Sequence, residues 1–251
     1  MSDIVLQTRG LYKTFGALVV ARDIDFSLAR GARHALIGPN GAGKTTFINL
    51  ISGALPATRG DVFLGGDNVT RLAEALRVKR GLARTFQINR LFAGLSVLEN
   101  LYLAVSEHMG AANGMLRPAG ARPDVVAKAE RLLETLKLKD DAGKTVAELP
   151  YGRQRLVEIA IALALEPKVL LLDEPAAGVP SGESHILLDA IDALPRDIAI
   201  LIIEHDMDVV FRFADTITVL ANGAVLANGK PEEIVHNAEV RAVYLGEGNH
   251  G

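Results

Sequence analysis

Short apolar runs along the chain alternate with stretches whose apolar residues recur at helical spacing. The apolar runs in the first third predict strands at residues 4–7, 24–28, 34–37, 61–64 and 82–86. Similar runs in the last third predict strands at residues 169–173, 198–203, 216–220 and 225–227, separated by helices that begin at about Ser181 and at Asp206. Because strands alternate with helices, we expect an α/β fold with a mostly parallel sheet.

The middle of the chain, from about residue 95 to residue 165, has helical spacing instead. One predicted helix there follows Asp124 as its N-cap. It is preceded by a Gly- and Pro-containing stretch, residues 109–123, which we predict to be a surface loop. Between two early strands, a basic helical run is predicted to form a solvated face. Its members are Arg71, Arg77, Lys79 and Arg80.

The composition excludes several classes of protein. The chain has 251 residues with 49% hydrophobic and 23% charged residues and a net charge of −3, which is ordinary for a globular protein and lacks the basic excess expected of nucleic-acid binding. It contains no cysteine, so disulfides and thiol chemistry are ruled out. The first residues carry no secretory leader, and no apolar stretch approaches the roughly 20 residues that span a membrane. We therefore expect a soluble protein that reaches a membrane only through a partner.

A glycine-rich loop follows the predicted strand at residues 34–37 and precedes a helix. The loop reads Gly38-Pro39-Asn40-Gly41-Ala42-Gly43-Lys44-Thr45-Thr46 and fits the phosphate-binding pattern G-x-x-x-x-G-K-[ST]. The glycines allow backbone N–H groups to surround phosphates, the helix N-terminus adds partial positive charge, and Lys44 adds a full charge. Thr45 offers its hydroxyl to Mg²⁺. We call residues 38–46 the phosphate loop.

Polar side chains follow three other predicted strands at the ends where ligands bind in parallel sheets. Asp173 and Glu174 end the apolar strand at residues 169–173, and we expect Asp173 to hold Mg²⁺ and Glu174 to orient the attacking water. His205 follows the strand at residues 198–203 and is a candidate sensor of the γ-phosphate. Gln87 follows the strand at residues 82–86 and is a candidate contact to Mg²⁺ and the water.

These motifs, in this order, closely resemble the ATP-binding subunits of ABC transporters over nearly the whole chain. The resemblance implies the ABC ATPase fold: a P-loop NTPase core with a mostly parallel sheet, an N-terminal antiparallel β-subdomain and a helical lobe. It implies a single domain, with the core and β-subdomain at residues 1–87 and 166–230, the helical lobe at 88–165 and a C-terminal helical tail at 231–251. In the family, an aromatic residue before an early glycine stacks on adenine; Phe15, before Gly16, matches it, with Tyr12 as a weaker candidate.

Several longer runs resemble the branched-chain amino-acid importers within this family. They are residues 84–92, 95–101, 175–178, 203–207 and 243–246. ATPases that power lipopolysaccharide extraction share the C-terminal ending and remain an alternative. A soluble ABC ATPase of repair or translation is less expected, because this chain shows neither a second ATPase unit nor a long coiled-coil insertion. A metabolite kinase would need an acceptor pocket and a lid between Gln87 and Gly152, where the pattern is helical.

The resemblance also implies partners. ATP would lie between the phosphate loop of one subunit and the signature helix of a second ABC ATPase subunit, and both subunits would bind integral membrane permeases at the inner face of the cell membrane. The signature segment, residues 149–155, departs from the family pattern Leu-Ser-Gly-Gly-Gln, because Pro150 replaces the serine. Tyr151, Gly152 and Arg153 remain candidate contacts to the partner's nucleotide, and we expect the Gly152 N–H and Arg153 to face an anion.

A second departure follows Glu174, where Val179-Pro180 replaces an apolar residue followed by Asp or Asn. Both departures affect the partner's nucleotide, whereas the residues that serve the chain's own ATP are complete. We therefore expect a heterodimer in which the second composite site is the weaker one, although a homodimer stays possible.

Overall fold

The structure is a computed structural model that describes residues 3–85, 91–110 and 122–246. The chain divides into two compact units. The first contains residues 1–82, 168–174 and 196–251, and the second contains residues 83–167 and 175–195. The sequence placed residues 175–195 with the nucleotide-binding core, and the lobe boundaries given above stay a prediction.

A four-stranded antiparallel sheet in the first unit is built on a long hairpin. Strands β1 (Ile4–Phe15) and β2 (Leu18–Ala29) pair along their length, so that Phe15 lies opposite Leu18 beside the turn. The edge away from β2 is extended by β4 and β5, in the order β2-β1-β4-β5. The bounds of these two are Arg59–Leu64 and Asp67–Asn68. The sequence indicated only parts of the hairpin because irregular register interrupts the apolar alternation.

The other sheet has the order β10-β9-β3-β8-β7-β6 among the described residues. The central pairs β9-β3, β3-β8 and β8-β7 are parallel, and only β10 is shown antiparallel to its neighbour. Every residue of β3, β7 and β8 is buried, as expected of parallel strands covered on both faces. The strand bounds are β3 Arg33–Ile37, β6 Leu82–Arg84, β7 Val169–Asp173, β8 Ala199–Ile203, β9 Thr216–Ala221 and β10 Ala224–Gly229. The predicted fold class is therefore confirmed.

Helices of the first unit lie between these strands and after the last of them. Their bounds are α1 Lys44–Ser52, α2 Glu74–Val78, α7 Met207–Phe213, α8 Pro231–His236 and α9 Ala238–Gly246. Phe47, Ile48 and Ile51 of α1 are fully buried in a core shared with both sheets. The prediction that Arg77 belongs to a solvated face is wrong, since Arg77 is 2% exposed. Its guanidinium donates to backbone carbonyls at the end of α1 and in the segment between β5 and α2.

The second unit is helical in most of its described residues. Its helices are α3 Val97–His108, α4 Pro123–Thr135, α5 Tyr151–Ala164 and α6 Ser181–Asp192. Helix α3 packs against α4 and α5, and α5 also packs against α6. The N-cap of α4 is Arg122, not Asp124 as predicted, because Pro123 takes the first helical position, where its missing N–H has no consequence. Most of the loop predicted at residues 109–123 lies outside the described residues.

We searched the described residues for a helix that combines the length and the apolar character needed to cross a membrane, and none does.

Candidate nucleotide-binding site

The phosphate loop leaves the buried strand β3 and enters α1 through three glycines with positive φ. At Gly38 a Cβ atom would lie 2.3 Å from the carbonyl oxygen of Leu220, and at Gly43 it would lie 2.9 Å from that of Val20. Other residues are therefore excluded at both positions. A Cβ on Gly41 would meet no atom within 4 Å, so the backbone at this point borders open space. The loop has the shape of a cradle whose backbone is accessible to a ligand.

The cationic end of the site is formed by the first turn of α1. Gly43 is the N-cap in the left-handed conformation, and no acidic residue lies in the first turn. The partial positive charge of the helix end is thus not compensated by its own side chains. The ammonium of Lys44 turns back onto the loop and donates to the carbonyls of Gly38 and Pro39. This arrangement favours an anion over the loop.

The turn between β9 and β10 holds the phosphate loop through backbone hydrogen bonds. The N–H of Gly223 donates to the carbonyl of Ala42 at 3.0 Å, and the carbonyl of Gly223 accepts from the N–H of Arg22 at 2.7 Å. Gly223 has a φ of 76°, and its Cβ would lie 2.8 Å from the carbonyl oxygen of Val20. The turn therefore fastens the phosphate loop to β2.

A cleft of about 590 Å³ opens over this region. Its lining contains the predicted residues Asn40, Gly41, Ala42, Gly43, Lys44, Thr45, Thr46 and Glu174. It also contains residues that sequence reasoning missed, namely Leu18, Val19, Val20, Arg22, Asn222 and Gly223. The Asn-Gly turn was visible in the sequence, but no local signal indicated that it or β2 would reach the loop. Lys44 and Arg22 give the cleft two cationic residues.

The acidic side of the site lies at the ends of β7 and β8. Asp173, the last residue of β7, is 7% exposed and pairs in register with Ile203 of β8. Glu174 has a left-handed φ of 46°, and its N–H donates to the carbonyl of Ile203 at 2.9 Å. Its carboxylate Oε1 lies 3.8 Å from Nδ1 of His205. Glu174 and His205, which were predicted to act at the same site, are therefore neighbours in the structure.

Other predicted residues lie elsewhere. Gly38 is outside the cleft lining because it is wedged against Leu220. Phe15 is 52% exposed at the end of β1 and does not line the cleft, although its cross-strand partner Leu18 does. Gln87 lies outside the described residues. The role predicted for each of them stays a prediction.

The signature segment lies in the second unit, where its polar groups are already engaged. The N–H of Gly152 donates to Oε2 of Glu183 on α6 at 3.2 Å. Nε of Arg153 lies 3.2 Å from a carboxylate oxygen of Asp141. Tyr151 accepts a hydrogen bond from Arg155 at 2.6 Å. In this structure carboxylates of the same chain contact Gly152 and Arg153, and the role of the segment toward a partner's nucleotide stays a prediction.

The cleft, together with Asp173, which precedes the cleft residue Glu174, fits a nucleoside triphosphate with Mg²⁺. The accessible backbone at Gly41 and the cationic helix end suit phosphate groups, whose negative charge matches Lys44 and Arg22. The hydroxyl of Thr45 and the carboxylate of Asp173 are oxygen donors, which Mg²⁺ prefers, and Mg²⁺ usually takes only one or two protein carboxylates together with substrate phosphates. The fold and this cradle define a P-loop nucleotide-binding protein.

Comparison with known proteins narrows this class. The family model described as ABC transporter matches residues 21–177, and the model described as branched-chain amino acid ATP-binding cassette transporter matches residues 224–250. Because the first model covers more than half of the chain, the chain belongs to the ABC transporter family.

Individual relatives agree with the family assignment. The chain is 38% identical to a probable branched-chain amino acid transport ATP-binding protein LivG of Archaeoglobus fulgidus, over 96% of this chain and 95% of the relative. It is 37% identical to the high-affinity branched-chain amino acid transport ATP-binding protein LivG of Escherichia coli, over 98% and 100%. A solved ATP-binding cassette of an ABC transporter in its ADP conformation superposes with a TM-score of 0.85 at 32% identity, over 97% and 99% of the two chains. The ABC ATPase fold is thereby confirmed.

Proposed function

We propose that this chain is the ATP-binding and ATP-hydrolysing subunit of an importer for branched-chain or related amino acids. The observation that carries the proposal is the single cleft that brings the phosphate loop and Glu174 together. The cleft supplies cations for the phosphates and a carboxylate for the attacking water. The transported solute is inferred from the relatives, which are branched-chain amino acid transport ATP-binding proteins.

The predicted site residues then have the following roles in phosphoryl transfer to water. The N–H groups of the phosphate loop and the Lys44 ammonium hold the phosphates and stabilise charge on them. Glu174 accepts a hydrogen bond from the attacking water and orients it. His205, beside Glu174, contacts the γ-phosphate. Gln87, which lies outside the described residues, is kept as a candidate contact to Mg²⁺ and the water.

Thr45 and Asp173 would hold Mg²⁺, with Gln87 as a further contact. Bound there, the ion would neutralise negative charge on the phosphates. Asp173 suits the role because it is held at the end of a fully buried strand, and Thr45 suits it because the helix α1 fixes its backbone.

The transport role requires partners that the chain itself does not supply. We propose that it pairs with a second ABC ATPase subunit and binds integral membrane permease subunits at the inner face of the membrane. The helical lobe, assigned to residues 88–165, would transmit closure to the permease. The alternative in lipopolysaccharide extraction is not favoured, because both the matched family model and the relatives are of the branched-chain amino-acid type.

A heterodimeric partner is supported by the signature segment. Pro150 supplies no side-chain hydrogen bond to the first turn of α5, and the Gly152 N–H already donates to the carboxylate of Glu183. This signature is therefore a poor binder of a partner's phosphate. In the assembled transporter we expect Pro150→Ser to raise ATP turnover, because one hydrogen bond to a charged group is worth about 1.5–3 kcal/mol, or roughly ten- to a hundredfold at that site. Unchanged turnover would contradict the asymmetry and leave the ATPase assignment intact.

The ATPase assignment is tested by Glu174→Gln. The substitution keeps the side-chain shape and leaves the backbone at φ 46° equally strained, but it removes the carboxylate. We expect ATP affinity to be retained and phosphate release to fall by about 10²–10⁴. The matched control is Glu232→Gln on α8, an exposed position at which the same chemical change should have no effect. A Glu174→Gln variant with near-normal turnover would reject the assignment.

A further inference from the structure

A second carboxylate lies beside Glu174 at the same edge of the sheet. Glu204 directly follows β8, the strand that pairs with β7, and its side chain is 1% exposed. A buried carboxylate loses its hydration, which is costly unless groups of the protein compensate it. The Glu204 carboxylate is enclosed by the protein.

One ring nitrogen of His205 lies near both carboxylates. Its Nδ1 lies 3.8 Å from Oε1 of Glu174 and 4.0 Å from Oε2 of Glu204. The same Glu204 oxygen is 3.4 Å from the backbone nitrogen of His205, which donates to it. The His205 side chain is 67% exposed, so its own packing does not fix the ring. Contacts to the carboxylates are what the structure offers to orient it.

The orientation matters because the two imidazole nitrogens are not equivalent. The group that one nitrogen faces decides where the ring carries its proton. With Nδ1 at 3.8 and 4.0 Å from two carboxylate oxygens, the tautomer with the proton on Nδ1 is electrostatically favoured, which would leave Nε2 for a ligand. In the Ser-His-Asp hydrolases, a buried carboxylate holds the catalytic histidine in the required orientation and tautomer in the same way.

We propose that Glu204 is a positioning residue for His205: the buried carboxylate keeps Nδ1 of the ring turned inward and so presents Nε2 to the γ-phosphate of ATP. The inference rests on the proposed ATPase function and names one more residue of the same site. Because its side chain is buried, Glu204 would act on the reaction through the histidine.

The test is Glu204→Gln in the purified chain, and where the chain requires its partner subunit for turnover, in that complex. The amide fills the same space without the charge. We expect kcat for ATP hydrolysis to fall about tenfold, with KM for ATP unchanged. Tenfold is the lower end of the effect usually seen when a residue that supports a functional side chain is lost. In the background of His205→Ala, Glu204→Gln should cause no further decrease, since its effect passes through the ring.

The matched control is Asp206→Asn, on the other side of the same histidine. Asp206 accepts the N–H of Asp208 at 2.9 Å and caps α7, a purely structural task that Asn performs as well. We expect kcat to be unchanged in this variant.

Should Glu204→Gln not fold, Glu204→Asp is the second variant. It keeps the charge but moves it away from the ring by one methylene, and kcat should fall by a smaller factor.

Nitrogen NMR of the histidine rings gives a readout that does not depend on turnover. The His205 signal, assigned by its loss in His205→Ala, should report a proton on Nδ1 in the wild type and a shift toward Nε2 in Glu204→Gln. An unchanged signal with unchanged kcat would overturn the inference. So would a loss of kcat that adds fully to that of His205→Ala, because it would reflect general damage. Absence of ATP hydrolysis in the wild type would instead reject the proposed function.

Discussion

Oε2 of Glu183 accepts a hydrogen bond from the backbone N–H of Gly152 at 3.2 Å, so that helix α6 caps the first turn of α5. The residue that precedes α5, Pro150, has no side-chain group that could do so. A Cβ on residue 152 would lie 2.8 Å from the same oxygen, so a larger residue would displace the carboxylate from this contact. The signature segment is thus stabilised from within its own unit by a carboxylate in place of a hydroxyl.

Replacing the cap should be measurable as a loss of stability. We expect Glu183→Ala to lower the free energy of unfolding by about 1 kcal/mol, the usual value of an N-terminal cap. Glu183→Gln retains an oxygen acceptor and should lose less. Urea denaturation of the three proteins compares them directly, and an alanine variant as stable as the wild type would show that the contact contributes nothing.

The buried guanidinium of Arg77 should be one of the most sensitive positions of the first unit. It donates to the carbonyls of Leu50, Ile51, Thr70 and Leu72 at 2.8–3.0 Å. Burial lowers the pKa of Arg77 below its ordinary value, which still leaves it charged. We expect Arg77→Met to cost about 3 kcal/mol or more in unfolding free energy, because buried carbonyls lose their donors.

The control for this prediction is Arg80→Gln in the same basic run. Arg80 is exposed and makes a long 3.4 Å contact to the carbonyl of Leu76, so its loss should change stability by less than about 0.5 kcal/mol. Equal effects of the two substitutions in denaturant titrations would contradict the structural role of Arg77.

His34 should make stability depend on pH. Its ring is buried against Phe26, Nε2 lies 2.8 Å from Oγ1 of Thr218, and burial lowers the pKa of His34 from 6.5 to about 4. Because the unfolded chain takes up the proton first, the contribution of His34 is complete above about pH 7 and is lost as the pH falls from 6.5 toward 4. The expected loss by pH 5 is about 2 kcal/mol.

His34→Gln isolates this effect from the other titrating groups. The glutamine side chain can still hydrogen-bond to Thr218 but takes up no proton. We expect the unfolding free energy of the variant to fall less between pH 7.5 and pH 5 than that of the wild type. Parallel pH profiles of the two proteins would rule out His34 as the source.

The sequence predicted those parts of the site that lie in one continuous segment. The phosphate loop, the strand at residues 169–173 and its terminal carboxylates carry their chemistry in adjacent residues, and the structure has a strand with those same bounds. The pairing of Glu174 with His205 followed from a general rule, because both follow parallel strands, and the ends of such strands meet at one edge.

Other features were not predictable because they depend on contacts between distant segments. The approach of Val20 and Gly223 to the phosphate loop depends on a hairpin whose alternation is broken by register shifts. The burial of Arg77 depends on carbonyls that only the folded chain brings together, and a charge pattern cannot distinguish it from its exposed neighbour Arg80. The carboxylate of Glu183 at Gly152 joins residues 31 positions apart without any local signal.

The central claim is that a nucleoside triphosphate binds in the cradle that ends at Lys44. Isothermal titration calorimetry of the purified chain with ATP and Mg²⁺ tests it most directly, with Lys44→Ala as the matched variant and circular dichroism as the check that both are folded. We expect saturable binding to the wild type that is strongly weakened in Lys44→Ala. Absence of binding to the folded wild type, or equal affinity in the two proteins, would contradict the claim.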